Sequence, residues 1–595
     1  MKINLEDELI SEKNLLYWKN QTPCDKNIKD YIDKQFPPNI NSILGKNEQG
    51  EYIDKIFGEL KSKKLKNLSI KWLRPKEIFK NEKYFLFKDI KNINIEDIKQ
   101  GNIDDCYFIS SIIGLLKSDQ NMIYKLFKNK DINSNGYYEI IFFIDGVYTI
   151  VIIDDYLPVF KDNKELCFGK STNNEIWLCL LEKAWAKING GYANIIKGFA
   201  HHVLEALTGF PCLNLMHSSY DYNIIWDYII NSFKNKYIIT TTSKDNIKDI
   251  ILERNHSYAL VDYYIDNNRK SLKIKDPRGK SLSFNCISLE SEKEKENEKG
   301  IINISFEDYY KYLSFTNICF TISNFYSKKF TIEGNDIYKG NIFNIYLEED
   351  CILSINVIRK NRIFNREMNK LNLPSFICLV KYNQVKSNIN NNINKTIFYD
   401  YYSNIQSEEN INLNKELKKG YYLFYSYLDY YHSLYNEDKL YYIKFDSNIN
   451  FKIIKRPCDL KDNGFPILKN IKISGYFNSN KKNNVHNGIC YVVKYKNKDL
   501  SMKIIYNQNN KWLRITEDCS EIKNIFILTP YQNESKSFDW YIPPKKYDIL
   551  LGMTIDSSKE GSLNLKSKNV LINSIPINYK NYEINISQYT NDNFI

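Results

Sequence analysis

Gln100-Gly101-Asn102-Ile103-Asp104-Asp105-Cys106-Tyr107-Phe108-Ile109-Ser110-Ser111-Ile112 is the stretch that decides how the chain is read. A glycine breaks the chain, two carboxylates follow, and a cysteine opens an apolar run that continues at helical spacing through Ile112, Ile113, Leu115 and Leu116. The pattern predicts a loop running into a helix, with Cys106 in the first turn. A thiol there feels the positive end of the helix dipole, which favours thiolate, its nucleophilic form. Gln100 offers a side-chain donor for a developing oxyanion. Alone, a cysteine in an apolar run is more often a buried core residue than a nucleophile.

Two further residues complete a chemistry. His256 lies in Asn255-His256-Ser257-Tyr258-Ala259-Leu260-Val261, a strand-like run. Asp276 begins Asp276-Pro277-Arg278-Gly279, at the end of the second strand of an expected hairpin, Leu260 to Tyr264 and Ser271 to Lys275. A histidine facing a carboxylate from the neighbouring strand is the base and orienter of a thiol hydrolase. Each residue also has a bland reading: a hydrogen-bonded strand histidine, and an aspartate starting a turn before proline.

Several long motifs in order carry a family resemblance. Gln100-Gly101 with Asp105-Cys106-Tyr107-Phe108 resembles the nucleophile motif of calpains. Trp177-Leu178-Cys179-Leu180-Leu181-Glu182-Lys183-Ala184-Trp185-Ala186-Lys187-Ile188 is similar to that family's long core helix. Trp72-Leu73-Arg74-Pro75, Ile152-Ile153-Asp154-Asp155-Tyr156-Leu157-Pro158 and Leu204-Glu205-Ala206-Leu207-Thr208-Gly209 also match, and the resemblance spans roughly 29–325. It implies an α+β, papain-like, two-lobed cysteine protease core. Cys106, His256 and Asp276 would form the triad and Gln100 the oxyanion donor, with Gly198, Phe199 and Asn255 along the substrate cleft. It also implies calcium (Ca2+), with Asp97 and Glu175 as acidic ligands in the first lobe; the second-lobe ligand position holds Leu282.

The chain departs from the family pattern at several of these places. Asp104 stands for a glycine beside the nucleophile, where its charge would raise the thiol pKa. Phe199 replaces a cleft glycine and would narrow the cleft. Asn255 replaces the glycine before the histidine. Asp276 stands where the family has asparagine, and Arg278 where it has a shielding tryptophan, so that the arginine could pair with Asp276.

The rest of the chain sets bounds. Its 595 residues suggest several domains. The net charge of +12 is spread as scattered lysines without an arginine-rich stripe, which argues for a solvated basic surface and against nucleic acid. The N-terminus lacks an apolar signal region and no 18-residue apolar run occurs, so a soluble, cytoplasmic protein is expected. Twelve cysteines without a CxxC pair fit reduced thiols. Expected domains are a lead at 1–28, a helical lobe with the nucleophile at 29–211, a mostly β lobe with His256 and Asp276 at 212–325, and two C2-like β-sandwiches at 326–448 and 449–595. The Asp556–Gly561 stretch fails as an EF-hand because Ser567 stands where the loop needs glutamate. The functional expectation is a calcium-dependent endopeptidase acting on protein substrates. The other reading is a catalytically silent scaffold that binds partners or membrane through its sandwiches.

Overall fold

The apolar run after Gly101 folds into helix α1, Cys106–Ser118, and every side chain from Cys106 to Leu116 is buried. A helix apolar on all sides has to be enclosed by other elements, and the chain supplies them on several faces. The computed structural model describes residues 29–46, 52–53, 70–80, 82–89, 93–144, 146–218, 220–247, 252–267, 269–279 and 300–322. Beyond these it describes 325–333, 341–359, 375–383, 397–406, 410–428, 440–456, 477–485, 488–495, 500–507, 509–518, 525–528, 537–542, 547–554 and 566–572. The lead at 1–28, the charged loop 290–299, Leu282, the asparagine-rich 388–394 and the 556–561 stretch lie outside the described residues.

The chain divides after Thr321 into two units. In the first, α1 is followed by α2 (Gln120–Leu126), the hairpin β1 (Tyr137–Ile144) and β2 (Val147–Asp154), α3 (Trp177–Ile188) and α4 (Ala200–Thr208). The hairpin closes through Gly146 at φ 80°, a left-handed turn position that glycine takes without strain. A six-stranded antiparallel sheet comes next: β3 (Cys212–Met216), β4 (Ile238–Ser243), β5 (Ser257–Asp266), β6 (Arg269–Lys275), β7 (Ile301–Ser305) and β8 (Leu313–Cys319), in the order β7-β6-β5-β4-β8-β3. Helices α5 (Tyr222–Lys234) and α6 (Phe306–Tyr312) complete it, and Trp226, Ile229, Phe306 and Tyr309 share one core with sheet residues Leu260, Leu272 and Ile318. The sequence pattern led to fewer helices here; α5 is the addition.

α1 packs on β4, β5 and α4, so the nucleophile helix seats against the sheet that carries the histidine. Gly114 permits the close approach: a Cβ there would come within 2.9 Å of the Ile238 side chain.

The charged residues inside the resemblance motifs are one buried network. Lys183 of α3, fully enclosed, pairs with Asp154 and donates to the Tyr156 carbonyl at 2.7 Å. Lys187 pairs with Asp33 at 2.7 Å and donates to the Ile152 carbonyl at 2.6 Å. The Asp33 N–H donates to Asp154 at 2.7 Å, and Arg74 pairs with Asp155 while donating to the Tyr31 carbonyl at 2.9 Å. Charges this deep persist only when paired and hydrogen-bonded, and removing one partner strands the other. The network ties the chain at 31–33, the 74–75 turn, the end of β2 and α3 into one block behind the nucleophile.

The second unit is all β in its described residues. A four-stranded sheet (Tyr326–Glu333, Leu440–Ser447, Cys351–Arg359, Asn410–Leu417, in spatial order) faces a five-stranded one (Ile397–Gln406, Ser375–Asn383, Gly420–Leu428, Asn341–Leu347, Phe451–Arg456). One core joins them: Phe343 and Phe424 of the second sheet meet Phe445 of the first at ring distances of 5.2 and 5.3 Å. A five-stranded and a three-stranded sheet follow between Phe477 and Ile572. No helix among the described residues is long and apolar enough to cross a membrane.

Candidate active site

Cys106 is the first residue of α1, with Asp105 as its N-cap, and is 9% exposed. His256 sits one residue before β5 and Asp276 one residue after β6. These strands pair antiparallel with Ala259 opposite Lys275, so the start of one and the end of the other adjoin. His256 Nε2 meets Asp276 Oδ1 at 3.1 Å, and both side chains are buried. With Nε2 engaged, Nδ1 is the ring nitrogen left for the thiol, and His256 hydrogen-bonds the Cys106 side chain.

The electrostatics follow from this contact. Burial alone pushes the Cys106 thiol up; the hydrogen bond and charge of His256, with the Ser257 N–H, outweigh it and leave the thiol below its ordinary pKa. Burial pulls His256 down, but the bonds to Asp276 and Cys106 overcome it and push the imidazole up to about 10. A thiolate facing an imidazolium is the poised state of a cysteine nucleophile. Asp104 acts in the expected direction, raising the thiol, but ranks behind His256. Its side chain is exposed and its carbonyl accepts from Lys197 N–H at 2.8 Å.

Gln100 lies in the loop before α1. Its Nε2 donates to the Ile103 carbonyl at 2.6 Å and its Oε1 is buried without a hydrogen-bond partner. The amide is thereby fixed, with one of its two N–H protons committed. Gly198 is required by Tyr107: a Cβ would fall 2.5 Å from that ring. Lys197 before it takes φ 56°, so the wall opposite the nucleophile loop is strained at a non-glycine residue that the sequence reading passed over. Phe199, the N-cap of α4, is 58% exposed and stands against the rings of His201 and His202 at 5.5 Å each. Asn255 meets the backbone demand of the glycine it replaces: it adopts φ 48°, which asparagine tolerates better than most residues, and its amide donates to Asp245 at 2.7 Å.

Asp97 and Glu175 are brought close by the short pairing of Ile98–Lys99 with Lys170–Ser171. All four of their carboxylate oxygens accept from the protein. Thr172 and Asn173 donate to Asp97, and the Lys88 N–H and the Ser171 hydroxyl donate to Glu175 at 2.7 and 3.1 Å. Among the described residues no three His, Cys, Asp or Glu side chains converge as a metal site. Calcium takes about six to eight oxygens. The side chains here fit cross-links between two loops and do not fit that shell.

One feature of the site was hidden from the sequence. Asp105 is fully buried, and among the described residues no side-chain N–H or hydroxyl donates to its carboxylate. It faces the carboxyl of Glu182 on α3 at hydrogen-bonding range, which requires a proton between them. Burial raises Asp105 well above the carboxylate range, and burial pushes Glu182 up to about 7 against the pull of Asp105 and the Gly169 N–H. The signal available was a glutamate inside an otherwise enclosed helix.

Residues 31–320 match the family model described as calpain family cysteine protease. This part of the chain is a calpain-family cysteine protease domain. Calpain-1 catalytic subunit of Sus scrofa is 32% identical over 182 residues, 30% of this chain and 23% of that protein. The calpain-type cysteine proteases ADL1 of Oryza sativa and DEK1 of Zea mays are each 22% identical, over 49% and 44% of this chain and 14% and 12% of their own. The matched part thus spans less than a quarter of these calpains' own lengths.

Proposed function

We propose that the chain is an endopeptidase acting on protein substrates through Cys106, His256 and Asp276. The observation that carries this reading is the buried chain of hydrogen bonds from thiol to imidazole to carboxylate. The Cys106 thiolate attacks the peptide carbonyl carbon, forming a C–S bond. The oxyanion is met by the Cys106 N–H, a first-turn donor without an intrahelical partner, and by the uncommitted N–H of Gln100. The His256 imidazolium gives its proton to the leaving amine as the C–N bond breaks. Neutral His256 then takes a proton from water, whose oxygen attacks the acyl carbon and releases the thiolate. No step is routed through calcium, because Asp97 and Glu175 accept protein hydrogen bonds and do not fit its shell.

We read 29–211 and 212–325 as the two lobes and 326–448 and 449–595 as C2-like sandwiches; the paired sheets of the second unit support this. Cys106, Cys167, Cys179, Cys212, Cys319 and Cys351, each free and buried, support a cytoplasmic setting. Cleavage of a quenched casein substrate by the full chain, absent in Cys106→Ala, tests the reading. Intact substrate with folded wild type would favour the scaffold.

A further inference from the structure

Asp276 accepts more bonds than a histidine orienter needs. Its Oδ1 takes His256 Nε2 at 3.1 Å, the Arg278 backbone N–H at 2.9 Å and Arg278 Nε at 3.2 Å, while its Oδ2 takes Arg278 Nη2 at 2.8 Å. The remaining end of the guanidinium, Nη1, is paired with Glu253 in the loop before β5. Nε and Nη2 thus hold one carboxylate in a fixed plane, while Nη1 lies against a second. The arginine's charge is felt at the nucleophile, since Cys106 and Asp104 both act on it against the pull of burial.

We propose that Arg278 is a positioning residue which, with Asp276, forms one charge-balanced acceptor for His256. The guanidinium fixes the carboxylate's plane and cancels much of its charge, so the imidazole meets a group held and charged more like an amide than a bare carboxylate. Asp276 and Arg278, both departures from the family pattern, then compensate one another. The proposal rests on the reading of Cys106, His256 and Asp276 as the reacting set.

The charges around the imidazole come from every adjoining element. Cys106 lies at the start of α1 and Asp104 in the loop before it. Asp276 and Arg278 follow β6, with Lys275 at its end acting on Asp276. Glu253 precedes β5, and Tyr258 stands edge-on to the imidazole at 4.8 Å. Among the described residues, only Arg278 touches the orienting carboxylate by both a side-chain fork and a backbone N–H.

The signs are distinct. Removing the Arg278 charge destabilises thiolate and stabilises imidazolium, so both ionisations move to higher pH. Removing the Asp276 charge does the reverse. The test uses the full chain and measures iodoacetamide alkylation at Cys106 by peptide mass analysis against pH, alongside hydrolysis of a quenched casein substrate. Arg278→Gln is expected to move the alkylation profile up by about one unit and Asp276→Asn to move it down similarly. The double variant should return to the wild-type position. Arg278→Gln should also slow alkylation several-fold at its own optimum, but not further in the Asp276→Asn background, where no carboxylate remains to be held. Arg278→Lys keeps the charge without the fork, so its profile should stay in place while its rate falls; it also serves if the glutamine variant does not fold. A profile unmoved by Arg278→Gln, or one moved equally by Arg278→Lys, would overturn the proposal. Moving profiles without any hydrolysis would leave the charge pairing standing and remove the protease reading; unmoved profiles with hydrolysis intact would do the opposite.

Discussion

The backbone N–H of Gln100 donates to the carbonyl of Pro277 across 2.8 Å. One bond thus joins the loop that carries Gln100 to the turn that carries Asp276 and Arg278. The neighbour Gly101 holds the loop in place by having no side chain: a Cβ would lie 2.2 Å from the backbone of Phe168. Gly101→Ala must therefore displace the loop. Overpacking of this kind costs about 1–3 kcal/mol, and with Gln100 of this loop proposed as an oxyanion donor, kcat should fall more than KM rises. Denaturant melts and steady-state hydrolysis would show it; unchanged kcat would mean that Gln100 does not act on the oxyanion.

His256 is the main influence lowering the Cys106 thiol, and burial opposes it. His256→Ala removes the first and keeps the second. Alkylation of Cys106 at about pH 6 should drop by roughly tenfold or more and recover only in alkaline solution. Asp104→Gly should act oppositely and more weakly, speeding alkylation slightly at neutral pH.

What could be read from the sequence was local. α1, the β1–β2 hairpin and the β5–β6 hairpin each carry their own periodicity and turn residues, and they placed Cys106, His256 and Asp276. The bond from Arg278 to Asp276 was also within reach, since the residues are two apart. The tie from Arg278 to Glu253 was not, nor was the pairing of β3 with β8 across a hundred intervening residues. The Asp105–Glu182 contact joins two motifs whose separate patterns say nothing of each other. Asp97 and Glu175 show the opposite limit: their positions fit ligands, but their oxygens face hydrogen-bond donors that the sequence does not orient.

The Asp105–Glu182 pair makes stability depend on pH. Both carboxyls titrate higher in the folded chain than unfolded, so the fold holds extra protons. Stability is fully present below the ordinary carboxylate range and declines as pH rises through about 7, where Glu182 loses its proton. Glu182→Gln cannot ionise and keeps an oxygen for the Gly169 N–H. Its melting temperature should fall less than that of wild type between about pH 5 and pH 8. Parallel curves would show that no proton is shared.

Calcium would have to compete with four protein donors at Asp97 and Glu175. Calorimetric titration of the full chain should therefore show no heat that disappears in Asp97→Ala with Glu175→Ala, and chelator should leave hydrolysis unchanged. A site lost in that double variant would assign these carboxylates to calcium.

The most direct measurement is labelling of the full chain with a thiol-reactive peptidyl epoxide, read by peptide mass analysis. The peptide must occupy the cleft, His256 must supply the proton that opens the epoxide, and Cys106 must attack. The expected result is a single adduct at Cys106, lost in His256→Ala and strongly slowed in Asp276→Ala. Labelling spread over several cysteines, or at Cys106 with equal rate in the His256 variant, would contradict a working Cys106–His256–Asp276 site.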